Sequence, residues 1–163
     1  MKGKFTTGRL LKRWRIALGC MPWWKFAALV FVATFAVKTI AILLFGITTG
    51  IEDEDVDPER ARRIGWFIAV VVVPLLETLI AQALVIWLVH KALPKSFWWP
   101  VIFSAAVFGG GHQQSPVYLV CMLFVGLVWA FAYQSRFERQ GFGQAFWLIF
   151  LIHASNNAIA FIL

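Results

Sequence analysis

Charged residues are scarce in this sequence, where they make up only 14% of 163 residues. A water-soluble surface usually carries roughly 25–35% charged residues. Apolar residues make up 61% of the chain, and a domain of this length keeps too much surface exposed to bury so large a share. The composition therefore excludes an ordinary soluble enzyme and a disordered chain, and it predicts an integral membrane protein.

Cysteine is almost absent as well, because the chain holds only Cys20 and Cys121. These two thiols match no redox motif and no metal-ligand spacing, and they exclude a disulfide scaffold. Two catalytic motifs are also missing. The chain has no G-x-S-x-G turn, and this absence argues against a serine nucleophile. It also has no H-E-x-x-H helix, a motif whose presence would favour zinc.

The sequence does contain a series of long apolar runs. A helix needs about 20 apolar residues to cross a bilayer core. The candidate spans are residues 23–45, 64–90, 97–112, 116–134 and 142–163. The third run is short and ends in three consecutive glycines, which predicts a short or broken helix surrounded by protein. We therefore predict an all-α integral membrane protein: a bundle of about five transmembrane helices forms one domain over residues 23–163, after a basic tail over residues 1–22.

Positive charge lies mostly on one side of these predicted spans. Seven of the fifteen lysines and arginines precede residue 26, and four more fall in loops on the same side, at Lys91, Lys95, Arg136 and Arg139. Cytoplasmic loops carry this excess in membrane proteins. We therefore expect a cytoplasmic N-terminus in the inner (cytoplasmic) membrane of a bacterium. Because the basic tail adjoins an apolar span, we expect it to contact an anionic lipid leaflet and no nucleic acid.

Three ionisable residues lie deep inside the predicted spans: Glu77, His112 and His153. A charge at the centre of a membrane helix costs roughly 2.5–3.5 kcal/mol on insertion scales, so such residues are usually functional. At about 1.5 Å per residue, the three lie roughly 16–22 Å from the predicted cytoplasmic ends of their spans. We therefore expect them to meet at one level of the bilayer. Lys38 lies nearer the end of its span, and we interpret it as a residue that reaches the membrane surface.

Polar neighbours accompany these residues at helical spacing. His153 and Asn157 are four residues apart and share one helix face, with Asn156 beside them. Thr78 and Gln82 are also four apart, which allows one hydrogen bond between their side chains. Taken singly, such groups usually hold membrane helices together. Taken with the deep ionisable residues, they indicate a functional site.

The third span carries its own pair at this spacing, Phe108 and His112, and we expect Phe108 to be a packing residue. The glycines between them, at positions 109–111, remove side chains beside the histidine. Another backbone or a substrate can then come close.

A carboxylate with imidazole and amide neighbours is suited to activate water for attack on a carbonyl. Glu77 would take the proton while an imidazole orients the water, and His153 with Asn157 would donate hydrogen bonds to the oxyanion. This set predicts peptide-bond hydrolysis without a nucleophilic side chain. Two histidines and a glutamate are also a common zinc set, so the residues leave metal-bound and metal-free water open. A small proton-coupled transporter is a further interpretation, since glutamate and histidine in spans relay protons.

The order of these residues resembles that of the CAAX-protease and bacteriocin-processing (Abi, CPBP) intramembrane proteases. That family shows EExxxR, FxxxH and HxxxN motifs on separate membrane helices. The corresponding stretches here are Glu77-Thr78-Leu79-Ile80-Ala81-Gln82, Phe108-Gly109-Gly110-Gly111-His112 and His153-Ala154-Ser155-Asn156-Asn157. The resemblance covers residues 64–163 as a protease-like core. It implies a glutamate-type intramembrane endopeptidase that needs no metal cofactor and cleaves a membrane-anchored protein or peptide.

The resemblance also implies a role for each matching residue. Glu77 becomes the base, His112 its partner, and His153 with Asn157 the oxyanion donors. The residues that the resemblance places around them, beside the substrate or in support of the catalytic groups, are Thr78, Gln82, Phe108 and Asn156.

The chain departs from the family motif at two positions. Thr78 stands where the family has a second glutamate, and Gln82 stands where it has an arginine. These changes leave a second interpretation open. In it the chain is a catalytically inactive relative that acts as an immunity, scaffold or peptide-binding membrane protein.

Overall fold

The computed structural model describes residues 7–46, 65–93 and 96–162 of the chain. Within these ranges the chain forms helices and no strand. The helices are α1 (Thr7–Cys20), α2 (Trp23–Ala41), α3 (Ile68–Ala92), α4 (Trp98–Gly110) and α5 (Pro116–Ile162). A π-helical turn, Ile42–Gly46, extends α2. The prediction of an all-α membrane protein is confirmed.

Three stretches are long and apolar enough to cross a membrane: Trp23–Leu44, Ile68–Ala92 and Pro116–Ile162. Helix α5 bends at Gly141, whose φ of 78° and ψ of −179° suit glycine alone. Its two halves, residues 116–140 and 142–162, correspond to the last two predicted spans. Helix α4 has only 13 residues, as expected for the short third helix.

Helix α5 packs against each of the other four helices and supplies much of the core. Val125 on its first half and Ile149 on its second half are fully buried. Helix α4 approaches it closely at Gly126, where a Cβ atom would stand 3.1 Å from the backbone of Ala105. Of the glycine run after Phe108, only Gly109 meets a tight neighbour, the side chain of Leu123. Small residues therefore let α4 lie directly on α5.

Helix α3 is not uniformly α-helical. Two π-helical turns, Ile68–Val72 and Thr78–Leu84, alternate with α-helical turns over Val73–Glu77 and Val85–Ala92. Pro74 has no N–H, and its ring conflicts with the carbonyl four residues earlier, which accounts for a wide turn before it. A π-helical turn changes which side chains share a face and often occurs at a functional site.

The predicted basic tail contains a helix that the sequence analysis did not anticipate. Arg15 of α1 pairs with Glu138 of α5 at 2.6 Å, and its guanidinium lies 4.0 Å from the centre of the Phe97 ring. Trp14 and Ile16 stay exposed beside the basic residues, a composition typical of a helix at the membrane surface. Residues 1–6 of the predicted tail, Lys95 and the first residue of the second predicted span lie outside the described residues.

Candidate active site

The structure brings Glu77, His112 and His153 together. One carboxylate oxygen of Glu77 lies 3.3 Å from Nε2 of His153, and the other lies 3.9 Å from Nε2 of His112. Helix α3, the turn after α4 and the second half of α5 each supply one of these residues. The side chain of His153 is only 4% exposed, whereas that of Glu77 is 33% exposed. The carboxylate therefore stands between two imidazoles and keeps an accessible face.

The position of His112 is set by the last turn of α4. Its Nδ1 lies 2.7 Å from the carbonyl oxygen of Phe108. Because a carbonyl only accepts, Nδ1 carries the proton and donates it, and Nε2 of the neutral ring is an acceptor. Nε2 and the Glu77 oxygen are then two acceptors 3.9 Å apart. They cannot bond to each other, but a water molecule between them can donate to both.

His153 uses both ring nitrogens. Its Nε2 faces the carboxylate of Glu77, and its Nδ1 lies 3.4 Å from the hydroxyl oxygen of Thr78. Since a carboxylate only accepts, Nε2 donates to Glu77 and Nδ1 accepts from the Thr78 hydroxyl. Thr78 is buried. The residue at the first departure from the family motif therefore helps to orient the imidazole.

Aromatic rings enclose both imidazoles. The ring centre of Phe108 lies 4.8 Å from that of His112 and 5.7 Å from that of His153. The ring of Trp129 lies 4.3 Å from that of His153, and its indole N–H donates to the hydroxyl of Thr34 at 2.8 Å. Phe108 is buried. The rings restrict how far either imidazole can turn.

These residues line one cavity of about 430 Å³. Glu77, His112, His153 and Asn157 all contribute to its wall, and so does Lys38. The remaining lining is largely apolar. The wall extends from buried residues of α5 such as Trp129 to exposed residues such as Gln114 and Ala160. The site is thus a recess of the bundle with polar groups gathered in one region.

The two asparagines on α5 occupy different places. Asn157 lines the cavity, and its Nδ2 donates to the carbonyl of Ala69 at 3.1 Å. The second hydrogen of that amide has no acceptor among the described residues. Asn156 is buried, and its Oδ1 accepts a hydrogen bond from Nζ of Lys38 at 2.8 Å.

Lys38 is the functional candidate that the sequence analysis missed. Our interpretation of it as a residue that reaches the membrane surface is wrong, since its side chain lines the cavity and binds Asn156. Counted from Trp23, Lys38 lies roughly 22 Å along its span. That depth matches the upper end of the roughly 16–22 Å counted for Glu77 and the two histidines. The same depth argument, applied to α2, would have found it.

Gln82 does not line the cavity. It is 1% exposed, and neither its Oε1 nor its Nε2 has a hydrogen-bond partner among the described residues. The hydrogen bond to Thr78 that a four-residue spacing allows is not formed. The segment Thr78–Leu84 is π-helical, so residues four apart do not share a face as they would in an α-helix.

The sequence left open whether Glu77 and the two histidines bind a zinc ion. Within the described ranges, no group of three or more histidine, cysteine or acidic side chains is arranged to hold a metal ion. Nδ1 of His112 and both ring nitrogens of His153 contact protein groups. Catalysis without a metal stays a prediction, which removal of metal ions tests.

Comparison with known protein families gives a match. A family model described as Type II CAAX prenyl endopeptidase Rce1-like matches residues 60–159, which is more than half of the chain. The matched stretch contains Glu77, His112, His153 and Asn157, whereas Lys38 lies before it. No curated protein and no solved structure shows a significant match to the chain.

Proposed function

The chain belongs to the Rce1-like family of type II CAAX prenyl endopeptidases, and on this premise we propose that it hydrolyses a peptide bond by means of a water molecule held between Glu77 and His112. The family is a protease family whose substrates are membrane-associated peptides. The observation that carries the proposal is the placement of Glu77 between His112 and His153 on the wall of a cavity.

Glu77 acts as the general base. The water donates one hydrogen bond to Glu77 and one to Nε2 of His112, so its oxygen is oriented and made more nucleophilic. As this oxygen bonds to the carbonyl carbon of the substrate, Glu77 takes the proton. Glu77 then gives that proton to the nitrogen of the leaving amine when the peptide bond breaks, which leaves an acid and an amine as products.

The negative charge that develops on the substrate oxygen needs donors. Once Glu77 is protonated it is a weaker acceptor, so the Nε2 proton of His153 becomes available to the oxyanion. The unused N–H of Asn157 supplies a second donor on the same wall. Preorganised donors of this kind are usually the largest single contribution to such a reaction.

The orientation in the membrane follows from charge. One end of the bundle carries most of the basic residues, namely those of α1 with Lys91, Arg136 and Arg139. At this end Arg15 pairs with Glu138, and His90 forms a hydrogen bond with Gln134. By the positive-inside rule this end faces the cytoplasm. We assign the protein to a bacterial inner membrane with a cytoplasmic N-terminus, and we assign the basic face of α1 to an anionic leaflet.

The test compares purified wild-type protein with Glu77→Gln on a membrane-anchored fluorogenic peptide in detergent. Loss of a general base lowers rates by about 10²- to 10⁴-fold. Glu138→Gln is the matched control, because Glu138 is a carboxylate on α5 that does not line the cavity. Equal cleavage by wild type and Glu77→Gln would rule out Glu77 as the base. Inhibition by chelators, reversed by zinc, would replace the metal-free scheme.

A second function is favoured by one observation, the presence of Thr78 and Gln82 at motif positions that hold charged residues in the family. In this alternative the chain binds a membrane peptide without cleaving it. The same Glu77→Gln variant separates the two functions. If cells that carry this nearly isosteric variant keep the phenotype of the wild type, the result supports the binding protein. If they lose that phenotype, the result supports the enzyme.

A further inference from the structure

A smaller cavity lies on the flank of the bundle, between α3 and the bend of α5. Its volume is about 200 Å³. The described residues that line it are all apolar or aromatic, namely Leu79, Ala83, Leu84, Ile86, Trp87, Tyr133, Phe137 and Phe142. None of them lines the cavity that holds Glu77. This cavity, the flank groove, is therefore separate from the candidate active site.

The local structure of both helices accounts for a groove at this place. The bend at Gly141 separates Phe137 on the first half of α5 from Phe142 on the second half. The π-helical segment Thr78–Leu84 supplies three of the lining residues from α3. A bend in one helix and a wide turn in its neighbour interrupt the regular packing of side chains between them.

The flank groove has a buried floor and an exposed rim. Ile86 and Tyr133 on the floor are 1% exposed, whereas Leu79, Trp87 and Phe142 on the rim are about half exposed. Helix α3 is long and apolar enough to cross a membrane, so its exposed apolar residues face lipid. The groove therefore opens toward the hydrocarbon chains of the bilayer.

A cation stands at one end of the flank groove. Nζ of Lys91 lies 3.9 Å from the ring centre of Trp87. Lys91 is exposed, and no carboxylate lies within 4.0 Å of its nitrogen in the part of the chain that the structure describes. At about 1.5 Å per residue, Lys91 lies roughly 18 Å from Leu79 along α3. The site thus runs from a cation near the helix end toward the middle of the span, and tryptophan and lysine are typical of the membrane–water interface.

We propose that the flank groove binds one acyl chain of an anionic phospholipid and that Lys91 binds the phosphate of the same lipid. The two parts of such a lipid match the two parts of the site in chemistry and in order, with the phosphate at the interface and the chain along apolar residues. A zwitterionic lipid has the same chains, but its headgroup carries a positive charge that opposes Lys91. An extended peptide would bring backbone N–H and C=O groups, for which the apolar lining offers no partner.

Native mass spectrometry of the detergent-purified full-length protein tests the proposal. The protein is mixed with equal amounts of dioleoyl phosphatidylglycerol and dioleoyl phosphatidylcholine, and the ratio of the two bound lipids is measured. Lys91→Met removes the cation. Lys25→Met is the matched control, because Nζ of Lys25 lies 5.1 Å from the ring centre of Trp24 in a similar exposed pair that does not line the groove.

The wild type is expected to bind phosphatidylglycerol about 5-fold more tightly than phosphatidylcholine, which is the contribution of one lysine near an anionic lipid surface. Lys91→Met should lose most of this preference, whereas Lys25→Met should keep it. Equal binding of the two lipids by the wild type would overturn the proposal. A preference that survives in Lys91→Met would do the same.

A second pair of variants tests the acyl chain separately from the headgroup. Leu79→Trp enlarges a side chain on the rim and should weaken binding of both lipids by about 10-fold, as for the loss of about two buried methylene groups. Leu88→Trp is the control, because Leu88 is an exposed residue of α3 outside the groove, and it should bind both lipids as the wild type does. If Leu79→Trp also bound them as the wild type does, no acyl chain would occupy the groove.

Competition experiments distinguish other occupants of the site. Glycerol 3-phosphate carries the anion without the chains and should not displace phosphatidylglycerol, so displacement by it would reassign Lys91 to a small soluble anion. Displacement by farnesol would assign the groove to an isoprenoid chain. A dimer that Leu79→Trp disrupts would assign it to a second copy of the protein. Each of these three results would overturn the phospholipid site.

Discussion

The imidazole of His153 lies 3.3 Å from the carboxylate of Glu77, a contact that links α3 to the second half of α5. The opposite ring nitrogen faces the hydroxyl of Thr78, the residue next to Glu77 in sequence. One turn of α3 therefore holds the histidine from both sides. The carboxylate of Glu77 can only accept, so Nε2 of His153 donates to it and Nδ1 is left to accept from the Thr78 hydroxyl.

Replacement of Thr78 by valine should slow cleavage while the fold is kept. The change removes the hydroxyl that donates to Nδ1 of His153 and orients its ring, and one neutral hydrogen bond is worth about 0.5–1.5 kcal/mol, or roughly 2- to 10-fold in rate. The measurement is kcat/KM on the fluorogenic peptide. Thr78→Ser keeps the hydroxyl and should retain most activity. If Thr78→Ser were as slow as Thr78→Val, the shape of the side chain would matter and the hydroxyl would not.

The sequence predicted the helical membrane fold and the meeting of Glu77, His112 and His153. Both predictions rest on the cost of burying polar groups in lipid, which acts on each residue separately and so is visible in a single chain. The depth count could place the three residues at a similar level because helix rise is nearly constant along a span. The same count was not applied to Lys38, and that residue was misinterpreted.

The sequence could not predict features that depend on the contacts between helices. The π-helical turn that separates Thr78 from Gln82 arises in a helix whose pattern reads as ordinary α-helix. Helix α1 was treated as tail because its basic residues dominate its composition, although Arg15 and its neighbours dock on α5. Such choices are decided by tertiary packing, which overrides local preference.

Gln82→Met should stabilise the protein. A buried amide without partners costs about 1–3 kcal/mol, and methionine fills a similar volume without polar atoms. We expect the free energy of unfolding to rise by about 1 kcal/mol, measured by thermal denaturation in detergent. Gln113→Met is the control, because Gln113 is exposed and should change stability by less than about 0.5 kcal/mol. A loss of stability in Gln82→Met would indicate that the amide has a partner in the membrane.

Gly126→Ala should weaken both stability and activity. The added Cβ would stand 3.1 Å from the backbone of Ala105 and 3.2 Å from the ring of Phe108. Overpacking of this kind costs about 1–3 kcal/mol, and it displaces the ring that packs on both histidines. Gly143→Ala is the matched control, because a Cβ there meets nothing within 4 Å. Equal effects of the two changes on thermal denaturation and cleavage would contradict the close approach of α4 and α5.

Thr34→Val should destabilise the contact between α2 and α5 beside the site. Thr34 accepts the indole N–H of Trp129 at 2.8 Å, and both residues are buried. Valine leaves that N–H without an acceptor, which costs about 1–3 kcal/mol. Because the Trp129 ring packs against His153, the rate of cleavage should fall together with the melting temperature.

Two variants serve as controls. Thr34→Ser keeps the acceptor and should lose less stability and activity. Thr39→Val is an exposed change on the same helix and should have little effect on either measurement. If Thr39→Val lowered the melting temperature as much as Thr34→Val, the loss of stability would come from replacing threonine by valine in α2. It would then not come from the loss of the indole hydrogen bond.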